Sequence, residues 1–342
     1  MSSKCFLYCN ATMKEQPINP EMLTQRIAAD AVQFVKDNHD NPFFLYMGMP
    51  QTHTAMICST KFCNKSRRGI YGDNVNEMSW AVGEVVNVVK QLGIEENTLV
   101  MFISDHGPQI EECFHGGSPG PLKGGKATSW EGGIHVPSIA WWPGKIPPGS
   151  VNHHVLSTMD VFPTLLALAG ENNVGKQGTF LDGIRVDQLF AENHENVKPP
   201  HKILFHYCSK QLFAVRLGRY KIHYYTQNVE AHNYSSNCVD GQPMGDMIAN
   251  MDCSRATKQS PPIMFDLETD PGERFQLEAS LHEDVLTEAQ TLIDEHRKTL
   301  TPVPQQLGNW NDDLQPCCNP PHCKCNEYDD SKFQQQVYKN EL

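Results

Sequence analysis

The sequence predicts an α/β fold followed by a smaller α+β domain, and three observations carry that expectation. Strand-like apolar runs alternate with amphipathic helical stretches as far as residue 170, the signature of a largely parallel sheet. Within that region the run Leu99-Val100-Met101-Phe102-Ile103 stops abruptly at Ser104-Asp105-His106-Gly107. An acid and an imidazole thus arrive at the carboxyl end of a strand, where open α/β sheets keep their ligands. Beyond residue 200 the pattern changes to an alternating meander and one late helix, which suits a separate α+β unit.

The elements follow in order. Met22 to Val35 places Leu23, Ile27, Ala31, Phe34 and Val35 at helical spacing. Pro42 to Gly48 (PFFLYMG) reads as a buried strand leading into Met49-Pro50-Gln51-Thr52-His53. A longer helix is expected from Val75 to Leu92, with Val75, Met78, Val82, Val85, Val86 and Val89 on one face and Gly93 as its stop. The strand Leu99–Ile103 comes next, then a glycine-dense loop, then a strand over Pro137 to Trp142 closed by Pro143-Gly144. Met159 to Ala169 reads as a helix with Pro163 in its first turns and Gly170 just past its end. Residues 171–200 are polar and rich in Gly, Asn and Pro, and they form the expected linker between a first domain at 1–170 and a second at 201–310. In the second domain Leu212 to Tyr225 alternates like two strands around Gly218, and Ile263–Leu267 is a short strand before the turn Asp270-Pro271-Gly272-Glu273. Ser280 to Leu300 opens on Ser280 and Glu283 as a capping box, with Leu281, Val285, Ala289, Leu292 and Ile293 inward. Residues 311–342 form a cysteine-rich tail.

Composition narrows the function. With 39% hydrophobic and 20% charged residues the chain is ordinary globular material, and its net charge of -12 argues against nucleic acid as a partner. No apolar run approaches the ~20 residues that span a bilayer, and the N-terminus MSSKCFLYCNATMKEQP has no apolar core for a signal peptide. Twelve cysteines are many for a cytosolic chain of 342 residues. Four of them lie in Cys317-Cys318 and Cys323-Lys324-Cys325, where zinc competes with disulfides. Adjacent cysteines aim poorly at one metal and no paired C-x-x-C is present, so disulfides are preferred. Sequons at Asn10, Asn64 and Asn233 fit the same compartment, and the final Lys339-Asn340-Glu341-Leu342 differs from a KDEL retrieval signal at one position. The expected location is the endoplasmic reticulum lumen or secretory pathway.

The chemistry is concentrated in residues 104–137. Asp105 and His106 supply cation ligands, Lys123 and Lys126 in Lys-Gly-Gly-Lys supply anion contacts, and the glycines allow close backbone approach. Together they suit an oxyanion ester held against a metal. This stretch resembles the sulfatases, in particular the steroid sulfatase and arylsulfatase branch, and the resemblance runs nearly end to end. It takes in LTQRIAADAVQFV, the His53-Thr54-Ala55 segment, GIYGDNVNEMSWAVGEV, SDHG, KGGKATSWEGGIHVP, STMDVFPTLLALAG, LFHYC, FDLETDPGER and the cysteine tail. It implies part of the alkaline-phosphatase-like sulfatase fold and hydrolysis of aryl or steroid sulfate esters. It also implies calcium as the cofactor and, in the tail, bridges from Cys317 to Cys323 and from Cys318 to Cys325.

Residue by residue, the resemblance makes Asp105 a calcium ligand, since a hard cation prefers carboxylate oxygen. His106 falls where most sulfatases carry Asn or Gln, and imidazole suits zinc better than calcium. His53 maps to the histidine that contacts sulfate and protonates the departing alcohol, a role its titration near neutrality permits. Lys126 maps to the sulfate-binding lysine, and Lys123 is peripheral. The family nucleophile motif Cys-x-Pro-Ser-Arg, which yields formylglycine, occurs nowhere in the sequence. Cys63-Asn64-Lys65-Ser66-Arg67 imitates it with Lys for Pro, but lies where the family has no nucleophile. A second departure puts His135 where the family has arginine, so a buried pair made by that arginine would be weaker or pH-dependent here. The chain as given is therefore expected to be inactive. The alternatives are a non-catalytic sulfatase-like protein retained in the endoplasmic reticulum, associating with sulfated ligands or a full-length sulfatase, and a zinc phosphoesterase supported only by Ser-Asp-His-Gly.

Overall fold

A computed structural model describes residues 5–171, 180–190, 197–227, 238–239, 242–243, 252–301, 311 and 315–328. Asn233, residues 172–179 and 191–196 of the 171–200 segment and the Lys339–Leu342 end lie outside the described residues. The chain divides into two compact units, one of residues 1–94 with 301–342 and one of residues 95–300.

In the first unit β1 (Leu7–Cys9) and β2 (Thr12–Gln16) form a hairpin, and β11 (Cys325–Asn326) adds antiparallel to β2, giving the order β1-β2-β11. Gln16 is one of the side chains that fasten the tail, alongside the Lys14–Glu327 ion pair at 2.7 Å and Arg26 over the Tyr328 ring. Gln16 Nε2 donates to the Pro316 carbonyl at 2.9 Å while its Oε1 accepts from the Cys318 N–H at 3.1 Å. Bridges join Cys317 to Cys323 and Cys318 to Cys325, the pairing that the resemblance implied.

Helix α1 (Leu23–Asn38) packs on α2 (Gly69–Gln91), and what they bury is partly ionic. Arg26 and Glu15, both almost wholly buried, pair at 2.7 Å. Glu77 accepts from Gln25 Nε2 at 2.7 Å and from the Ser59 N–H at 3.1 Å. Asp73 accepts three successive backbone N–H groups, from Asn64, Lys65 and Ser66, at 2.7 to 3.0 Å. The expected valine stripe of α2 is therefore mostly half-buried, and its inward face includes Asp73, Asn74 and Glu77 with Ala81, Val88 and Val89. Buried acids survive because each meets donors, which a hydropathy pattern cannot show. Gly93 ends α2 at φ +67, in the left-handed region that favours glycine.

One expected strand is absent. Residues 42–48 are extended but join no ladder, and their alternation leaves Phe44 and Tyr46 exposed. An apolar run signals a strand only where a neighbour supplies hydrogen bonds, and none of the described residues does so here.

The second unit opens with β3 (Val100–Ile103), which pairs antiparallel with β4 (Ser138–Trp141). The largely parallel sheet expected from the alternation is not formed by the described residues, whose ladders are all antiparallel. Between β3 and β4 the chain holds only a 3-10 stretch (Ile110–His115) and the four-residue α3 (Glu131–Ile134). A parallel return needs a long crossover, and this loop instead reverses the chain. Ser157 caps a 3-10 turn (Thr158–Asp160) through a box with Asp160, and that turn leads into α4 (Val161–Leu168), which carries Pro163 in its first turn.

The C-terminal part of this unit is a four-stranded antiparallel sheet in the order β10-β7-β6-β5. Its strands are β5 (Ile203–Cys208), β6 (Gln211–Leu217), β7 (Tyr220–Thr226) and β10 (Thr257–Asp266). A short pair, β8 (Cys238–Val239) with β9 (Gln242–Pro243), lies between the last two in sequence. Leu212, Val215, Leu217, Ile222 and Met264 pack against Ala289 and Ile293 of α5 (Glu283–Thr299). Ser280 does not cap α5: a 3-10 turn at Ala279–Leu281 intervenes, the cap position is His282, and Leu281 faces solvent.

Candidate active site

Of the four residues singled out by motif, Asp105, His106 and Lys126 fall in the second unit and His53 in the first. The Ser104–Gly107 segment leaves β3 and continues along the returning chain, with Ser104 N–H donating to the Pro137 carbonyl and Gly107 N–H to the Gly133 carbonyl at 3.0 Å. The approach is so close that a Cβ on Gly107 would lie 1.8 Å from the Gly132 oxygen, and one on Gly132 would lie 2.4 Å from the Gly124 oxygen. Glycine is required at both positions.

The lysine loop joins the same cluster. Lys126 N–H donates to the Pro108 carbonyl at 2.8 Å and its Nζ to Gln109 Oε1 at 3.4 Å. Gly132 N–H donates to the Lys123 carbonyl at 2.7 Å. Backbone bonds thus hold the acid–imidazole pair and the lysine on one glycine-lined loop cluster at the end of β3.

Asp105 is mostly exposed, with Oδ1 accepting its neighbour's N–H. His106 Nδ1 faces the Gly107 carbonyl at 2.8 Å; a carbonyl only accepts, so this nitrogen carries the proton. In the neutral ring Nε2 is then the lone-pair nitrogen, 3.1 Å from Asp105 Oδ2. The two form an acceptor pair of the kind that a cation bridges. They are only two donors, and no group of three His, Cys, Asp or Glu side chains converges among the described residues. One carboxylate and one imidazole do not make a calcium site, which takes ~6 to 8 oxygens.

His53 is exposed in a turn closed by its own N–H to the Pro50 carbonyl, and its Nδ1 bonds the Thr54 carbonyl. Gln51 ties that turn to Thr24 of α1. Cys63 is bridged to Cys58, so the sulfur of the nucleophile-like Cys63–Arg67 stretch is not a free thiol.

The structure also displays residues that motif reading passed over. Glu131, buried beside the paired glycines, binds Lys221 of β7 at 2.7 Å and Arg216 of β6 at 3.4 Å. Burial opposes its ionisation, yet Lys221 and Arg216 outweigh that and hold the carboxyl down at about 2. His135, expected to stand in for an arginine partner, is mostly exposed and 3.9 Å from Glu131. Lys221 and Arg216 satisfy the acid instead. Glu131 N–H donates to Glu273 Oε2 at 2.7 Å, and Glu273 Oε1 lies 2.6 Å from His223 Nε2. Trp130 packs tilted against His223 with centroids 4.2 Å apart, and Lys123 Nζ lies 3.7 Å over the indole.

Comparison with known proteins identifies the family. The sulfatase family profile matches residues 2–171, and the profile for the C-terminal region of aryl-sulfatase matches residues 199–325. An arylsulfatase of Hemicentrotus pulcherrimus is 40% identical over 95% of this chain and 59% of its own length. A steryl-sulfatase of Rattus norvegicus is 36% identical over 94% and 58%. Among solved structures, the PsFucS1 sulfatase from Pseudoalteromonas sp. superposes with a TM-score of 0.70 at 26% identity, over 83% of this chain and 55% of that one. The chain belongs to the sulfatase family, and its fold is of the alkaline-phosphatase-like kind. It spans somewhat over half the length of these relatives.

Proposed function

We propose that the chain is part of a sulfuric ester hydrolase acting on aryl or steroid sulfates, with its domains divided at the 171–200 segment. The observation that carries this reading is the backbone lock between the two motif loops. It presents Asp105, His106 and Lys126 together at the end of β3. Lys126 offsets sulfate charge while the S–O bond to the alcohol breaks, and His53 gives the departing oxygen its proton. Asp105, with His106 beside it, would be one carboxylate ligand of a cation only if further donors completed the site. Water supplies the oxygen that ends on sulfate.

Turnover in this reading needs a nucleophile-bearing segment, because the sequence holds no Cys-x-Pro-Ser-Arg. The bridged cysteines and the exposed sequon at Asn64 support synthesis in the secretory pathway. The test is a chromogenic aryl sulfate assay on the chain as given and on a chimera carrying the nucleophile segment of the Hemicentrotus pulcherrimus arylsulfatase. The chain is expected to be inert and the chimera active, with loss in Lys126→Ala and His53→Ala. Turnover by the chain itself would overturn the requirement for the segment. A chimera indifferent to both substitutions would remove these residues from the site.

A further inference from the structure

We infer that Glu273 and His223 form a proton-gated clamp that positions the 123–133 segment, and with it Lys126, through the backbone N–H of Glu131. The geometry is direct. Glu273, in the turn after β10, ties the loop cluster to β7 with both carboxyl oxygens engaged, Oε2 on Glu131 N–H at 2.7 Å and Oε1 on His223 Nε2 at 2.6 Å. Both side chains are fully buried. Glu273 also holds φ +52, a left-handed backbone that a glutamate adopts at a cost and that is sustained here by these contacts. Glu131 in turn borders Gly132 and Gly133, the two glycines on which the lysine loop and the Asp105 loop hydrogen-bond.

The clamp is gated because two acids share one buried cluster. Facing Glu273 and His223 are Lys221 from β7, His206 from β5, Glu131 from α3 and Lys123 from the lysine loop, while Arg216 of β6 acts on Glu131 and His206, and Asp270 of the preceding turn acts on Lys123. Lys221 is already committed to Glu131. Burial pushes Glu273 up to about 7 against the pull of Lys221, while burial and then Lys221 hold His223 well below its ordinary value. With the proton present, Glu273 donates to His223 Nε2 and accepts Glu131 N–H with no net charge. Once it leaves, a second buried carboxylate faces that of Glu131. The closed loop binds this proton more tightly than an opened loop with an ordinary carboxyl near 4.5. Protonation therefore favours the closed form, and rising pH favours opening.

Lys126 benefits only if it belongs to the site proposed above; the clamp itself does not depend on that reading, and the experiment reads it without activity. Hydrogen exchange of the full chain is followed by mass spectrometry, as protection relative to an unstructured peptide. Protection across 123–133 is expected to fall about tenfold between about pH 6 and 8, while α5 shows no such slope. Glu273→Gln, which keeps both contacts without a titrating proton, should hold the acid-side protection at every pH. A flat response in the unaltered chain, a slope that survives in Glu273→Gln, or the same slope in α5 would each overturn the clamp. If the variant does not fold, the Glu131 amide nitrogen shift of the unaltered chain decides. It should titrate near neutrality, and its constancy would overturn the inference equally.

Discussion

At the scale of single residues, the second unit is governed by one ion pair. Glu131 and Lys221 are 90 positions apart, bond at 2.7 Å and are both buried. Removing one partner of such a pair leaves the other charge without compensation. Glu131→Gln is therefore expected to lose about 3–5 kcal/mol of stability near neutral pH. The pH dependence gives this a signature. The folded carboxyl sits at about 2 against an ordinary 4.5, so its contribution is complete above 4.5 and is lost as pH falls toward 2. Urea unfolding of both proteins should show their difference shrinking over that acid interval. A difference independent of pH would mean that the charge of Glu131 is not what stabilises the unit.

At the scale of elements, the cysteine tail shows how a segment with little core of its own is held. β11 contributes two residues to a three-stranded sheet, and the tail is further held by the Cys317–Cys323 and Cys318–Cys325 bridges, the two hydrogen bonds of Gln16, the Lys14–Glu327 ion pair and Arg26 over Tyr328. Peptide mapping without reduction should recover both bridges, and stoichiometric zinc with four alkylatable thiols would refute this pairing. Gln16→Ala removes both bonds to the tail backbone and should cost about 1–3 kcal/mol, read as faster proteolytic nicking around residues 315–328. The pairing was legible in the sequence only through the family resemblance, since the residues alone left zinc and other connectivities open. The role of Gln16, 300 positions from the Pro316 carbonyl it meets, was not.

At the scale of the whole molecule, the chain carries the loop cluster of a sulfatase while spanning 59% of one relative and 58% of another. Calcium binding is the property most sensitive to that partial span. Asp105 and His106 are only two donors, and affinity rises with the number of carboxylate ligands, so calorimetry should detect no uptake by the chain at about millimolar calcium. A chimera completed with the nucleophile segment should bind one ion and lose it in Asp105→Ala. Tight binding by the chain itself would show that the cation site has been misplaced.

The sequence by itself determined the family, the strand that ends in Ser104-Asp105-His106-Gly107, the lysine–glycine loop and the meander with its late helix, while the pairing of the tail cysteines came from the family resemblance alone. Those features depend on hydrogen bonding and spacing along neighbouring residues, which a chain displays locally. Tertiary structure decided the rest. It turned the glycine-rich loop back so that β3 and β4 run antiparallel, and it directed Asp73 and Glu77 inward to hold the 59–66 loop. It gave Glu131 to Lys221 and Arg216 instead of His135, and it brought Glu273 from 142 positions away onto the Glu131 N–H. The physical reason is common to all of these: a buried charge or unpaired strand is stable only through its partner, and that partner is chosen by folding rather than by proximity in the chain.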